Sequence, residues 1–346
     1  MQQLALVTGT PGWLGSRLVQ WLQAGGLDPN LPRQPGLAVR CLAQPGQDTT
    51  ALRQMGVEVV RGDLRDPPSL HSFFRDAAGA VLFHCAGLIH PARISDLYDL
   101  NFVGTQNLAA AAQIAGVRRM VYVSSNSPAG INPHRTALFD EMSEDRPFLN
   151  YGHSKRLAES VVHRIAALGV MEAVVVRPPW FYGPGQPARQ TLFFQMIRAG
   201  KAPLVGDGSN LRSMGYVDNV CQGMDLCGRT AGINGRTYWI ADERPYPMRE
   251  IIDTVQAVLE RDFGLACSSK RMHLPHLAST VAHGLDRALQ SLGMYHQKIH
   301  VLSEMDKDIA CSVSRAKAEL GFAPQISLEE GMRRSIADAL QRGIRI

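Results

Sequence analysis

The sequence predicts an α/β fold: a parallel sheet wound on both faces by helices, followed by a smaller, mostly helical C-terminal lobe. Three observations predict it. Short, strongly apolar runs alternate with helix-length periodic segments through the first half of the 346 residues. Those runs are apolar almost throughout, as strands buried on both faces require. After Arg177 the stretch RPPWFYGPGQPARQ, rich in Pro and Gly, leaves this regime, and helices take over.

Taken in order, apolar runs at 4–8, 37–42, 57–60, 80–85, 120–124 and 173–177 predict six strands. Between them, 13–24, 50–55 and 68–77 predict helices, with longer ones at 94–115 and 151–168. Six strands in β-α alternation describe a doubly wound Rossmann sheet. Further helices are predicted at 192–199, 220–227, 249–261, 274–292, 314–320 and 328–341. Two strand-like pieces, 213–217 and 237–241, are candidates to return to the main sheet. The chain thus divides into a dinucleotide-binding half, 1–178, and a substrate lobe, 179–346.

Composition narrows the function. Hydrophobic residues make up 45% and charged residues 19%, a folded globular balance. The net charge of +5 is not gathered into any block of Lys or Arg, which argues against a nucleic-acid partner. Six scattered cysteines without a C-x-x-C pair read as reduced core residues rather than disulfides or metal ligands, so no metal is expected. No run of eighteen apolar residues occurs, so no membrane span is expected, and the cytoplasm is the expected compartment.

The first functional signal is VTGTPGWLGSRL. Gly9, Gly12 and Gly15 lie between the first strand and the first helix. Glycines there allow backbone to approach a pyrophosphate, and the helix N-terminus behind them offers free N–H groups. Asp63 of GDL ends the third strand, where it can accept a bond from an adenine amino group. Cys85, Ala86 and Gly87 end the fourth, where small residues admit a nicotinamide. The second strand ends on Ala43 and Gln44 instead of the acid that binds the ribose 2′-hydroxyl of NAD. Arg17 and Arg40 are both candidates to meet a 2′-phosphate, so the reading stays at NAD or NADP.

The second signal is catalytic. YGHSK places Tyr151 and Lys155 four apart, on one face of a helix. VYVSSNSPAG ends the fifth strand with Ser124, Ser125 and Asn126. A phenol, an ammonium that lowers its pKa and a serine hydroxyl are a sensible set for moving a proton alongside a hydride.

At this point the chain resembles the extended short-chain dehydrogenase/reductase superfamily along nearly its full length. TGTPGWLG, GDLRD, HCAG, Asn101 in DLNFVGTQNL, VYVSSNSPAG, YGHSK, RPPWFYGPG and SRAKAELGFAP carry the resemblance. It implies that Ser125, not Ser124, is the catalytic serine, with Tyr151 and Lys155, and that Asn101 structures the active-site helix. It adds Pro11, Trp13, Leu14, Leu64 and Pro178 to the cofactor contacts. It also implies a homodimer through the helices at 94–115 and 151–168.

Two branches compete for the substrate. The Ser-Ser-x-x-x-x-Gly pattern, the segment LPHLASTVAHGLDRALQSLG and LGFAPQISLEEGMRRSI look like the 3β-hydroxysteroid dehydrogenase group, which acts on hydroxysteroids and β-hydroxy acids. Trp180, Phe181, Phe193 and Phe194 would then line an apolar pocket, or simply pack the lobe interface. The other branch is similar to nucleotide-sugar 4-epimerases, where Arg212 matches a diphosphate-binding arginine. That pattern carries an Asn three residues after the arginine ending the sixth strand; here Trp180 stands there. An oxidoreductase acting on a secondary alcohol or ketone is the leading reading and the epimerase the runner-up. A third reading is a catalytically silent dinucleotide-binding regulator, which the retained Tyr-x-x-x-Lys disfavours.

Overall fold

The computed structural model describes residues 3–26 and 37–346. In chain order it contains β1 (Leu4–Thr8), α1 (Trp13–Ala24), β2 (Ala38–Ala43), α2 (Thr50–Gln54), β3 (Glu58–Arg61) and β4 (Val81–His84). There follow α3 (Ile94–Leu97), α4 (Gly104–Ile114), β5 (Arg119–Val123), α5 (Leu149–Leu168), β6 (Glu172–Arg177), β7 (Trp180–Tyr182) and α6 (Ala188–Arg198). The rest comprises β8 (Pro203–Val205), β9 (Leu211–Arg212), β10 (Met214–Tyr216), α7 (Val217–Arg229), β11 (Thr237–Trp239), β12 (Tyr246–Pro247) and α8 (Met248–Phe263). Last come β13 (Met272–Leu274), α9 (His276–Ser291), α10 (Gln297–Glu304), α11 (Ser314–Leu320) and α12 (Leu328–Gln341).

The main sheet has seven parallel strands in the order β3-β2-β1-β4-β5-β6-β11. Successive residues of a strand point to opposite faces. Val7, Val121 and Val176 therefore enter a core with α1, α7 and α11, through Leu18, Val220 and Leu320. Leu6, Tyr122 and Val175 enter a second core with α4 and α5, through Leu108, Ala158 and Val162. Both faces are covered, which is why these strands read as continuous apolar runs.

The two returning pieces behave differently. Residues 237–239 join the main sheet beside β6, whereas 214–216 pair with β7 outside it. Pro178 and Pro179 explain the change: two residues without an N–H cannot extend the β6 ladder. The helix expected over 94–115 is interrupted by a π-helical turn, Tyr98–Val103, and the one expected over 68–77 is a 3-10 helix, Pro67–Phe74.

The lobe forms around a third core in which α6, α8 and α12 meet, with Phe194, Ile251, Val255 and Ile336 buried together. Small strand pairs, β8 with β13 and β9 with β12, edge it. α9 and α10 form a separate helical layer. All six cysteines are unbonded, four of them buried. Among the described residues no helix is long and apolar enough to cross a membrane.

Candidate active site

The glycine turn is shaped by contacts that leave no room for a Cβ atom. Gly9 has φ +80°, and a Cβ on it would lie 2.6 Å from the Ala86 nitrogen. A Cβ on Gly12 or Gly15 would each meet the Gly9 carbonyl oxygen at 2.6 Å. The turn therefore folds onto itself and onto the end of β4, presenting bare backbone. α1 begins behind it with no side-chain cap, so its first N–H groups stay free for an anion. This arrangement fits a dinucleotide pyrophosphate. Leu14 is buried, while the Trp13 indole donates to the Pro184 carbonyl at 2.7 Å and packs on Phe181 at 4.9 Å. Pro11 lies half-buried at the turn.

At the β2 edge the structure answers the question of the arginines. Arg17 is held by Asp218 at 2.5 and 2.8 Å, and Arg40 by Glu58 at 2.6 Å and the Phe73 carbonyl at 3.1 Å. Both are committed to structural partners. Arg61 stands across the ladder from Ala43 and reaches over the following loop. It donates to the carbonyls of Gln44 and Gln47 at 2.9 and 2.8 Å and to the Thr49 hydroxyl at 3.0 Å. It is exposed and makes no ion pair among the described residues. Asp63 is turned to Arg65, whose hydrogen bonds at 2.6 and 3.0 Å pull its carboxyl below the usual range. Leu64 is buried in the core and offers only backbone.

The catalytic candidates converge at the ends of β4 and β5. The Ser125 hydroxyl lies near enough to Tyr151 to pull its pKa down and is bonded to the Ser127 hydroxyl at 3.3 Å, while the Ser124 hydroxyl is buried without a partner among the described residues. Burial raises the Tyr151 pKa to about 12, against the pull of Ser125. Lys155, one helical turn on, is buried and donates to the Val123 carbonyl at 2.7 Å, with its ammonium 4.4 Å from the Tyr122 ring centre. Burial lowers its pKa to about 7, although Glu159 pulls the other way.

Backbone-anchored contacts hold this helix in place. Asn101, inside the π turn, accepts from the Leu88 nitrogen at 2.8 Å and donates to the Ser154 hydroxyl at 3.0 Å. Arg177 clamps Glu159 at 2.9 and 2.6 Å and Asp145 at 2.7 Å. A Cβ on Gly87 would sit 3.7 Å from the Lys155 nitrogen, so Cys85, Ala86 and Gly87 border the lysine as the sequence order demands. Pro178 is buried at the end of β6.

Across the cleft, Trp180 packs edge-on against Phe193 at 5.3 Å. Phe194 is closed into the lobe core, and half-buried Phe181 lies tilted against Trp13. Asn126 borders Ser125 at 3.4 Å. Arg212 bonds the Glu304 carbonyl at 3.2 Å and has no carboxylate within 4 Å among the described residues. Desolvation lowers its pKa, partly offset by Glu304 and Asp308. The Glu304 carboxylate in turn acts on Tyr151, raising its pKa further.

The sequence profile of the NAD dependent epimerase/dehydratase family matches residues 5–241. The chain belongs to that family. Among its relatives, a 2-alkyl-3-oxoalkanoate reductase of Shewanella oneidensis is 27% identical over 95% of this chain and 84% of its own. A 3beta-hydroxysteroid-dehydrogenase/decarboxylase isoform of Arabidopsis thaliana is 28% identical over 97% of this chain and 79% of its own. The structure of DesIV, a dTDP-glucose 4,6-dehydratase of Streptomyces venezuelae with NAD and TYD bound, superposes with a TM-score of 0.73. It is 25% identical, and the match covers 99% of this chain and 98% of that one. The protein is therefore an NAD(P)-dependent enzyme of the epimerase/dehydratase family.

Within that family frame, sequence reasoning missed three groups at the site. Arg61 carries a signal only once β3 is placed beside β2. Glu304 comes from α10, far along the chain. His300 bonds the buried Asp286 at 2.7 Å, and its ring lies 5.4 Å from that of Tyr295, which holds His90 at 2.7 Å. No motif links these positions; only the packing of α9 and α10 onto the start of α5 does.

Proposed function

We propose that the protein reduces a ketone, or oxidises the matching secondary alcohol, on an apolar substrate that carries a carboxylate. The observation that carries this reading is the gathering of Tyr151 and Ser125, with Lys155 buried one helical turn away on the Val123 carbonyl. When bound, the nicotinamide would supply or accept hydride at its C4. As the substrate oxygen gains electron density, Tyr151 gives it the phenol proton and Ser125 holds the same oxygen, general acid catalysis by a positioned pair. Lys155, fixed on the Val123 carbonyl, would favour the phenolate that remains, and its other donors would be available to the cofactor ribose. Gly9, Gly12 and Gly15 would hold the pyrophosphate. Arg61, exposed and without an ion pair, would meet a 2′-phosphate, which favours NADP.

Arg212 supports the carboxylate. A half-buried guanidinium with one hydrogen bond and no carboxylate within 4 Å among the described residues retains several unused donors. The reductase of Shewanella oneidensis, by its name, acts on an oxo acid. The same arginine also fits a diphosphate, which keeps a nucleotide-sugar 4-epimerase as the second reading; Trp180, packed on Phe193, stands against it. Val103 and Leu157, exposed on the helical face formed by the π turn and α5, support a homodimer through that face.

The test compares a 2-alkyl-3-oxo acid with its methyl ester in an NAD(P)H oxidation assay. Loss of charge-assisted hydrogen bonds is worth about 1.5–3 kcal/mol. Arg212→Ala should therefore raise KM for the acid by about 10- to 100-fold and leave the ester nearly unchanged. Thermal stabilisation by UDP that vanishes in the same variant, with no oxo-acid turnover in the parent, would give the site to the epimerase reading.

A further inference from the structure

The α9 helix is built inside out. Its buried positions are Ser279, Ala282, Asp286 and Gln290, and Asp286 is 0% exposed. Its outward face carries Leu277, Val281, Leu285 and Leu292, with Leu277 at 68% and Leu292 at 72% exposure. These lie at i, i+4, i+8 and i+15, with exposed Ala288 between them, so they form one continuous stripe about 22 Å long. Met294 beyond the helix end and Val301 on α10 are exposed as well. A surface helix normally turns such a stripe to the core. Here the core side is satisfied by polar bonds instead: Asp286 to His300, Gln290 and Ser303, and Gln290 to Asn150.

The charge around the stripe is one-sided. Along α9 and α10 the cations Arg287 and Lys298 are exposed, while the acids are the buried Asp286 and the half-buried Glu304 at the end of α10. The two cations make no ion pair among the described residues. We propose that α9, with its neighbours on α10, lies in the plane of an anionic lipid surface, its leucines below the headgroups and its cations among them. An apolar stripe with a basic border is what such interfaces bind. A second copy of this chain on the same stripe would bring two basic borders together with no exposed acid to offset them.

The placement matters for access. Gln290 holds Asn150 at 3.0 Å, next to Tyr151, and His283 stacks on Phe148 at 5.4 Å. The helix that lies on the lipid is thus the one that covers the start of α5, and an apolar molecule leaving the bilayer meets the cleft at that edge.

The experiment is co-sedimentation of the full chain with vesicles of phosphatidylcholine alone, or with about 30% phosphatidylglycerol. The parent should pellet with the anionic vesicles and at least about tenfold less with the neutral ones, and added salt should release it. The double variant Val281→Ser, Leu285→Ser should lose about tenfold in binding with an unchanged melting temperature, since both side chains are exposed. Arg287→Glu with Lys298→Glu should lose it too. No preference for anionic vesicles, or binding indifferent to the serine pair, overturns the proposal. So does a dimer without vesicle binding that the serine pair dissociates, because it would give the stripe to a second copy.

Discussion

On the sheet side, strands bury apolar residues on both faces, with Ser125 just past the end of β5 and Tyr151 and Lys155 on the first turns of α5 beside it. On the lobe side, α9 buries Ser279, Asp286 and Gln290 and shows its leucines to solvent. The first arrangement fixes Lys155 and Asn101 through backbone carbonyls and amides, at Val123 and Leu88. The second fixes the opposite wall through side chains bonding side chains, Asp286 to His300 and Gln290 to Asn150. Backbone partners survive most substitutions, whereas each member of a side-chain network can be removed. The sheet side adds side-chain bonds of its own, Asn101 to Ser154 and Arg177 to Glu159, but its lysine rests on backbone, whereas α9 is tied down mainly through side chains.

The largest expected effect breaks the sheet side alone. Tyr151→Phe should lower kcat by about 100- to 10,000-fold, the usual worth of a positioned acid. Cofactor binding, followed by the fluorescence of bound NAD(P)H, should change less than about twofold because no cofactor-holding group is lost. Residual turnover near the parent's would remove Tyr151 from the reaction.

Breaking the lobe side comes next. Burial works to raise the Asp286 pKa and to lower that of His300, yet their mutual bond together with Gln290 and Ser303 on Asp286 and Glu304 on His300 outweighs it and shifts both the other way. The Asp286 contribution is lost as pH falls through its lowered pKa. That of His300 is lost as pH rises through its raised one, so the pair stabilises most between the two. Asp286→Asn should cost about 3–5 kcal/mol in urea unfolding, as removing one member of a buried pair does. Its cofactor affinity should stay at the parent value; a parallel loss there would show that the two sides are not independent.

The smallest effect sharpens the comparison at the cofactor's edge. Arg61→Ala should weaken NADP binding about tenfold, one charge-assisted contact, and leave NAD within about twofold. Equal losses for both dinucleotides in calorimetric titration would reduce Arg61 to a clamp on the 44–49 loop.

Much of the sheet side was legible because its signals are local. The glycines of the first turn, the apolar runs and the Tyr-x-x-x-Lys spacing each act within a few residues of themselves. Even so, the sequence alone left Arg17 and Arg40 as candidates for a phosphate, and only Asp218 and Glu58, distant in sequence or across the sheet, show them engaged. The aromatic cluster stayed open for the same reason. Phe181 and Phe194 look alike as apolar residues, and which of them faces a cleft depends on Trp13 and on the α8 core. The strand-like piece at 213–217 was visible, but its partner was not, since two prolines had diverted the chain between β6 and β7.

What the sequence determined by itself was the doubly wound sheet, the glycine turn between β1 and α1 and the order of Ser125, Tyr151 and Lys155 along the chain, because periodicity, glycine and helix spacing carry their physics locally. What only the tertiary structure decided was which charges are already paired and which face of α9 meets water. Its leucines have helical periodicity whichever way the helix is turned. The direction is set by Asp286 finding His300 and Gln290 finding Asn150, contacts that a one-dimensional pattern does not contain.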